Sequence, residues 1–579
     1  MSNKIQNNLE IMRHSLAHIL MQALENLYGA IPGVGPAIED GFYHDFDAKH
    51  QVVLDNLPKI EEEMKRIIKE NYKIEKEEMK IKNGTKFLKD KKYKYTLELA
   101  KDLEKDNEKK ITFYKQGGFI NMCKGPHVEF TGKINPKAFK LTKVAGAYWK
   151  GSEKNKMIQR IYGLAFESPK DLRKHIAMLE EAKKRDHRKI GKEMGLFSLH
   201  EEGPGFPFWH PSGAVLYTEL ESFIRQENLK RDYSEVKTPM ILNKKLWVTS
   251  GHWEKFKEDM YFTEIDKDEY AVKPMNCPGG LLIYKENKHS YRELPIRNAE
   301  LGLVHRHELS GVLHGLFRVR AFTQDDAHSF CTTSQLNSEI IDMVDYAMDV
   351  YSQFGFKEYE IFIATRPEKY IGTDKEWDSA TKALEKALKK KKIKYNIKEG
   401  EGAFYGPKIE FNIKDSIGRN WQCGTVQVDF SMPKRLDAVY TDKDGKEKIP
   451  VMVHRAILGS LERFLGILIE HYAGIFPVWL SPIQVKIIAV GEGHIEYCQK
   501  FASEFKEKNI RVEVDSSDET VGNKIRKAAQ EKVPYMLVVG DKEMKGKKLS
   551  VRDRGQKQTR EVKKQDFIAE ILDKIEKKC

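Results

Sequence analysis

Cysteine is scarce in this chain and never closely paired. Cys123, Cys277, Cys331, Cys423, Cys498 and Cys579 are scattered over 579 positions. That excludes a disulfide framework and fits a reducing compartment. Long apolar runs are also missing. No stretch of about 18 apolar residues occurs, so no membrane-spanning helix is expected. The first residues, MSNKIQNNLEIMRHSLAHIL, lack a basic head, a compact apolar block and a small-residue cleavage site, so no secretion signal is read. A cytoplasmic protein is expected. No GxxxxGK[ST] loop occurs, and no GxGxxG follows a strand, which excludes the nucleotide folds built on them. HExxH is absent too, which speaks against a zinc hydrolase. No internal repeat is found.

What is present first bounds the architecture. The length exceeds what one hydrophobic core supports, so about three or four domains are expected. Hydrophobic residues make up 40%, enough for packed cores and too few for a membrane protein. The formal net charge is +13. Such an excess favours an anionic polymer as partner, or reflects a surface decorated with lysine.

Residues 1–167 mix helix and strand. Apolar residues every three or four positions predict a helix over 11–27. IPGVGPAIEDGFYHDF at 31–46 predicts a hairpin, and 59–71 a second helix. The lysine-rich stretch to Lys92 reads as solvated. Ser168-Pro169 is an N-cap with proline at the first helical position. It opens a connecting helix over 168–194, whose charged faces either meet RNA or are simply solvated. Segment 195–477 begins in a Gly/Pro/aromatic stretch. A helix at 216–228 and a strand, YSEVKTPMIL, follow; Pro239 makes that strand an edge or a bulge. Short strands with helical insertions near 335–354 and 376–391 then predict an antiparallel sheet flanked by helices. From 478 to 579 strands and helices alternate, with a hairpin expected around KEMKGKKLSVR. That is a small α/β domain with a largely parallel sheet. The fold class expected is multidomain, α+β followed by α/β.

Three distant stretches carry the chemistry: NCPGG at 276–280, TQDDAH at 323–328 and VHRAILGSLERF at 453–464. Cys277, His328 and His454 offer one thiol and two imidazoles. Lone residues of these types are usually structural, but together they suit a three-ligand zinc site with an open fourth position. Arg306, Arg318 and Arg463 suit a polyphosphate. HRHELSGVLHGLFRVRAFTQDDAH reads as strand, loop, strand, with Arg306 and Glu308 on one face of the first strand and Arg318 and Arg320 on one face of the second. Phe322 can stack on a base. An ion-paired surface hairpin would look the same.

The strand-loop-strand with HRHE and the helix in GSLERF resemble the second and third signature motifs of class II aminoacyl-tRNA synthetases. The helix at 216–228 with the strand ending near Pro239 resembles the first. More closely, KPMNCPG, FRVRAFTQDDAH, AFYGPKIEF, WQCGTVQVDF and HRAILGSLERF, in that order, resemble the bacterial-type threonyl-tRNA synthetases. HxxxH at 14–18 with NMCKGPH at 121–127 resembles that family's editing domain. The resemblance covers essentially the whole chain. The ubiquitin-like (TGS) domain that begins many members is expected to be absent, because the editing-type motif starts at His14.

The resemblance implies an editing domain at 1–167, a linker helix at 168–194, a catalytic domain at 195–477 and an anticodon-binding domain at 478–579. It implies Cys277, His328 and His454 as zinc ligands. Gln324, Asp326, Tyr405 and Gln427 would bind threonine. Arg306, Glu308, Arg318, Phe322, Gln422 and Arg463 would bind ATP with Mg2+, and Arg306 and Arg463 would be catalytic. His14, His18, Cys123 and His127 would edit seryl-tRNA, and Arg526, Glu543 and Arg552 would contact the anticodon. The partners implied are tRNA(Thr), ATP, L-threonine and a second subunit, joined through the first motif. Several positions depart from the family pattern. Asn121 stands where an acid is expected, Thr96 where a lysine is expected, Gly280 where histidine is usual, and Asp518 where asparagine is expected.

Overall fold

The computed structural model describes residues 2–546 and 548–579. It divides into two compact units, one running to Glu180 and one from Glu181 to Cys579. Helical and extended segments are mixed throughout. No described helix is long and apolar enough to cross a membrane.

The first unit is organised around the helix Ser2–Tyr28. Leu16, Ala17, Ile19, Leu20, Met21, Ala23 and Leu24 on it are fully buried, so this helix is apolar on more than one side and becomes the centre of the core. An antiparallel sheet packs against it, formed mainly by Gly41–Asp47, Met157–Ala165 and Phe139–Tyr148. A second antiparallel sheet contains Ile74–Lys80, Lys110–Gln116 and Phe119–Met122. The lysine-rich stretch expected to be solvated supplies the first of these strands and a helix, Ile81–Asp90. Its lysines face outward while Ile81 and Leu88 bury against Ile111 and Phe113, a pattern that raw lysine content hides.

The connecting helix is in fact two helices, Pro169–Lys184 and His187–Glu193. Asp186 breaks them apart. Its side chain accepts from the Arg188 N–H at 2.9 Å and so caps the second helix, satisfying an amide that a continuous helix would have used.

The second unit contains an eight-stranded sheet. Its order is Ser234–Glu235, Ile296–His305, Ala321–Cys331, Val451–Ala456, Asn420–Asp429, Lys408–Lys414, Tyr359–Ala364, Asn396–Lys398. The interior pairs are antiparallel, and only the two short edge strands are parallel to their neighbours. Helices Pro211–Leu229, Leu336–Gln353, Asp374–Lys390 and Leu461–His471 share its core. Pro239 falls between Ser234–Glu235 and Ile241–Asn243. Lacking an N–H, it ends the pairing rather than joining it. The strands flanking the arginines stop at His305 and resume at Ala321. Arg306, Glu308, Arg318 and Arg320 therefore sit in the connecting loop and not on strand faces.

The last hundred residues form a five-stranded sheet with a core of its own. Val512–Asp515, Val485–Ala489 and Tyr535–Val539 are parallel, and Lys548–Asp553 and Arg560–Lys563 add antiparallel at one edge. The hairpin lies between these last two strands. KEMK, expected in it, belongs to a helical turn, Asp541–Lys545.

Candidate active site

The strand Ala321–Cys331 is the centre of the site, and its two faces do different work. Successive side chains alternate across a sheet. Phe322, Gln324 and Asp326 line a cavity of about 550 Å³, while Thr323, Asp325 and Ala327 are buried on the other side.

On the cavity face, register brings distant residues into rows. His328 is directly opposite His454, and His454 is opposite Gln427. Cys277 opens the helix Cys277–Lys285. The ligand atoms of Cys277, His328 and His454 lie within 4.8 Å of one another. His328 Nε2 is buried without a hydrogen-bond partner. His454 Nε2 faces Asp429 Oδ2 at 3.3 Å, a carboxylate that can orient the ring. Burial pushes the Cys277 thiol well up and holds His328 down to about 4, although Asp326 Oδ1 lies 3.6 Å from His328 Nε2. A buried thiol and two imidazoles, one with an orphan nitrogen, are a donor set that a divalent zinc would satisfy. Gly280 lies beside this set, and a Cβ there would come to 3.3 Å from His328 Nδ1.

Polar groups surround the three donors. Asn276 Nδ2 donates to Asp326 Oδ2 at 3.1 Å. The Tyr405 hydroxyl donates to Gln427 Oε1, and Gln427 Nε2 donates to Thr425 Oγ1 at 3.1 Å. The Tyr405 ring lies 4.9 Å from that of His454. Each amide and hydroxyl is thereby oriented before any ligand arrives.

The arginines enter the same cavity from the 306–320 loop and from the helix Leu461–His471. Arg306 lies between the rings of Phe256 and Phe322, at 5.3 and 5.1 Å. Arg318 Nε donates to Glu308 Oε2 at 2.9 Å. Arg463 reaches the Phe317 carbonyl at 3.4 Å, with its Nε buried and unpartnered. Gln422 lines the wall beside them. Three guanidinium groups with few carboxylates to neutralise them make a cradle for an anion.

Asp325 was not singled out from the sequence, yet it builds this geometry from behind the sheet. Its carboxylate accepts from the N–H groups of Ile457, Leu458 and Gly459 at 2.8–3.1 Å. Arg455 lies 3.6 Å away and is stacked between Tyr233 and Tyr346. Burial pushes Asp325 up to about 6, against the pull of Arg455 and the three amides. The turn it holds leads directly into the helix carrying Arg463. Asp429, Asn276 and Glu462 were missed for the same reason, since each acts through register rather than through a local pattern. Glu462 accepts the Thr323 N–H at 2.9 Å, and burial pushes it up to about 7.

The four residues of the HxxxH and CxxxH pair also converge. Cys123 Sγ is 3.1 Å from His14 Nε2 and 3.3 Å from His127 Nε2. The His18 ring lies 4.9 Å from that of His127. Burial keeps all three imidazoles neutral, His18 near 3 and His127 near 2, and raises the Cys123 thiol. Thr96, Asn121 and His44 line a cavity of about 660 Å³ with His14, His18 and Cys123. Asn121 Oδ1 accepts from the Met122 N–H at 2.9 Å, and the Thr96 hydroxyl donates to the Tyr93 carbonyl at 3.3 Å.

In the last domain Arg526, Glu543 and Arg552 occupy three elements: the helix Val521–Gln530, the turn Asp541–Lys545 and the strand Lys548–Asp553. Among the described residues no hydrogen bond or ion pair joins them.

Asp325→Ala leaves three buried amides without an acceptor, a loss of about 3 kcal/mol or more in the turn. Hydrogen exchange across 457–460 should accelerate at least about tenfold in that variant. Unchanged protection would show that the carboxylate does not hold the turn.

Comparison with known proteins fits this layout. A model of the tRNA synthetase class II core domain (G, H, P, S and T) matches residues 261–472, an anticodon binding domain matches 484–574, and the threonyl and alanyl tRNA synthetase second additional domain matches 111–162. A threonine–tRNA ligase of Acetivibrio thermocellus is 54% identical over 567 residues, 98% of this chain and 88% of the relative. One of Clostridium kluyveri is 52% identical over 570 residues, 98% of this chain and 89% of the relative. The crystal structure of the RNA binding domain of threonyl-tRNA synthetase from Cryptosporidium parvum covers 67% of this chain and 98% of its own, at 40% identity and a TM-score of 0.65. The chain therefore belongs to the threonine–tRNA ligase family of class II aminoacyl-tRNA synthetases.

Proposed function

We propose that the chain activates L-threonine with ATP to threonyl-adenylate and transfers the threonyl group to the 3′ end of tRNA(Thr). One observation carries this: Cys277, His454 and Asp326 line the same cavity as Arg306, Arg318 and Arg463. A metal centre able to read an amino alcohol thus adjoins an anion cradle.

Cys277, His328 and His454 would hold zinc, which when bound would act as a Lewis acid toward the amino and hydroxyl groups of threonine. Asp326, fixed by Asn276, accepts a hydrogen bond from the hydroxyl. Gln324, Tyr405 and Gln427 close around the amino acid. Arg306 grips the α-phosphate, and Arg318 and Arg463 the outer phosphates. Phe322 stacks on adenine, with Glu308 and Gln422 beside the nucleotide, and Mg2+ accompanies ATP. The threonine carboxylate is already ionised and needs no general base. Catalysis rests on holding it in line with the α-phosphate and on the charge of Arg306 and Arg463. Valine lacks the hydroxyl and offers Asp326 no donor, so it is rejected strongly. Serine lacks only a methyl, worth about 1–3 kcal/mol.

That residue of error calls for a second, hydrolytic site, which we assign to His14, His18, Cys123 and His127. Asn121 and Thr96 bring neither carboxylate nor ammonium to that pocket. We read 1–167 as the editing domain, 168–194 as the linker, 195–477 as the catalytic domain and 478–579 as the anticodon-binding domain. Arg526, Glu543 and Arg552 would read anticodon bases, whose edges are accessible in an unstacked loop. Phe208, Leu229 and Ile241, apolar and exposed around the first motif, support a homodimer through that face. We read a cytoplasmic location from these substrates.

Threonine-dependent ATP–pyrophosphate exchange is the test. Wild type with zinc should exchange, and Cys277→Ser should lose bound zinc and exchange together. No exchange by zinc-loaded wild type would overturn the activity, and retention of zinc by the variant would overturn the ligand set. Seryl-tRNA(Thr) should also persist longer with wild type than with Asn121→Asp/Thr96→Lys. Equal, fast clearance by both would reject a weakened editing pocket.

A further inference from the structure

A second cluster lies outside both pockets, where the connecting segment meets the catalytic domain. Asp186, His187 and Glu470 have ligand atoms within 4.8 Å of one another, a spacing that would suit a cation. The hydrogen bonding excludes that use. His187 Nε2 accepts from the Leu316 N–H at 3.0 Å, so the ring proton sits on Nδ1, which donates to Glu470 Oε1 at 2.7 Å. The His187 N–H donates to the same oxygen at 3.0 Å. Both ring nitrogens are spent within the protein, and the residue is fully buried.

What these bonds join is more informative than the cluster itself. Glu470 lies near the end of the helix that begins beside Arg463. Leu316 lies at the tip of the 306–320 loop. The connector grips that helix again through Arg185, which donates to the His471 carbonyl at 3.0 Å. The next loop residue, Phe317, packs on the His187 ring at 4.1 Å and on Trp421 at 4.4 Å. Phe317 lines the cavity, and its carbonyl accepts from Arg463. Arg318, which lines the same cavity, follows directly. Two glycines permit this approach. A Cβ at Gly315, whose φ is +51°, would fall 2.1 Å from His187 Nε2, and one at Gly466 would fall 2.9 Å from the Phe317 ring.

Taking 306–320 as the nucleotide loop proposed above, we infer that His187 is a positioning residue for ATP: it pins the loop tip to the helix of Arg463 and so sets where Phe317 and Arg318 stand. The residue touches no substrate. It acts through the Leu316 amide on one side and the Glu470 carboxylate on the other. The two bonds are separable by substitution. Asparagine can place an N–H near the position of Nδ1 and keep Glu470 paired, but has no atom at the position of Nε2. Glutamine can carry its carbonyl toward the Leu316 N–H.

The experiment is ATP–pyrophosphate exchange by the full-length chain, with ATP and threonine varied separately. His187→Asn should raise KM for ATP about tenfold, the effect of one lost hydrogen bond with its amide left buried. KM for threonine and the melting temperature should stay near wild type, and His187→Gln should recover most of the loss. Arg318→Ala tests the loop assignment independently and should raise KM for ATP. If Arg318→Ala has that effect and His187→Asn does not, the positioning role is wrong and the nucleotide loop stands. If His187→Asn shifts both KM values and the melting temperature together, its role is only structural and the inference falls. If Arg318→Ala changes nothing, both fall.

Discussion

The site depends on one buried carboxylate. Asp325 sits under the central strand, accepts three consecutive amides of the 457–459 turn and faces the buried Arg455. A charge in that position is tolerated because three amides donate to it and a guanidinium lies beside it. In return it fixes the turn from which the helix carrying Arg463 departs. Its neighbours in sequence, Gln324 and Asp326, point the opposite way into the cavity. A single dipeptide, Asp325-Asp326, thus ties the scaffold to the amino-acid pocket, with one carboxylate on each face of the sheet.

Register converts this pivot into a metal site. His328, His454 and Gln427 fall in one row because three antiparallel strands are aligned residue by residue. A slip of one residue on any of them would send its side chain to the opposite face. Burial disfavours the charged form of the His328 ring and of the Cys277 thiol, and bound zinc would reverse the thiol's preference. The limit of such a centre is chemical. It reads a hydroxyl well and a missing methyl poorly, so a second pocket of a different kind is needed. There the imidazoles and Cys123 converge as they do at the first site, while Asn121 and Thr96 stand uncharged in a wall whose charges come from Asp102, Asp106, Glu108, Lys110 and Lys124.

Much of this was legible in the sequence. The donor types and the loop arginines stood out because each lies in a long motif of unusual composition, and the alternation in TQDDAH separates cavity residues from core residues. The helices near 335–354 and 376–391 follow from apolar periodicity. What escaped notice depends on long-range geometry. Asp325 resembles its neighbour Asp326 in every local respect, and only the approach of the 457–459 turn distinguishes them. The loop arginines alternate like strand residues, yet pairing ends at His305. The strand and helix at 74–90 were masked by lysines that face solvent, because only Ile74, Ile81, Gly84 and Leu88 are buried there. Asp186 ends one helix and caps the next, a competition that helical periodicity cannot reveal. His187 carried no motif at all, and its importance rests on what packs against it.

The most direct test of the account is anomalous diffraction at the zinc edge from crystals of the full chain grown with zinc and threonine. A single strong peak within coordination distance of Cys277, His328 and His454, with the amino and hydroxyl groups of threonine completing the coordination and Asp326 on the hydroxyl, is predicted. A peak elsewhere, or threonine bound in the cavity with these three side chains free of metal, would contradict it.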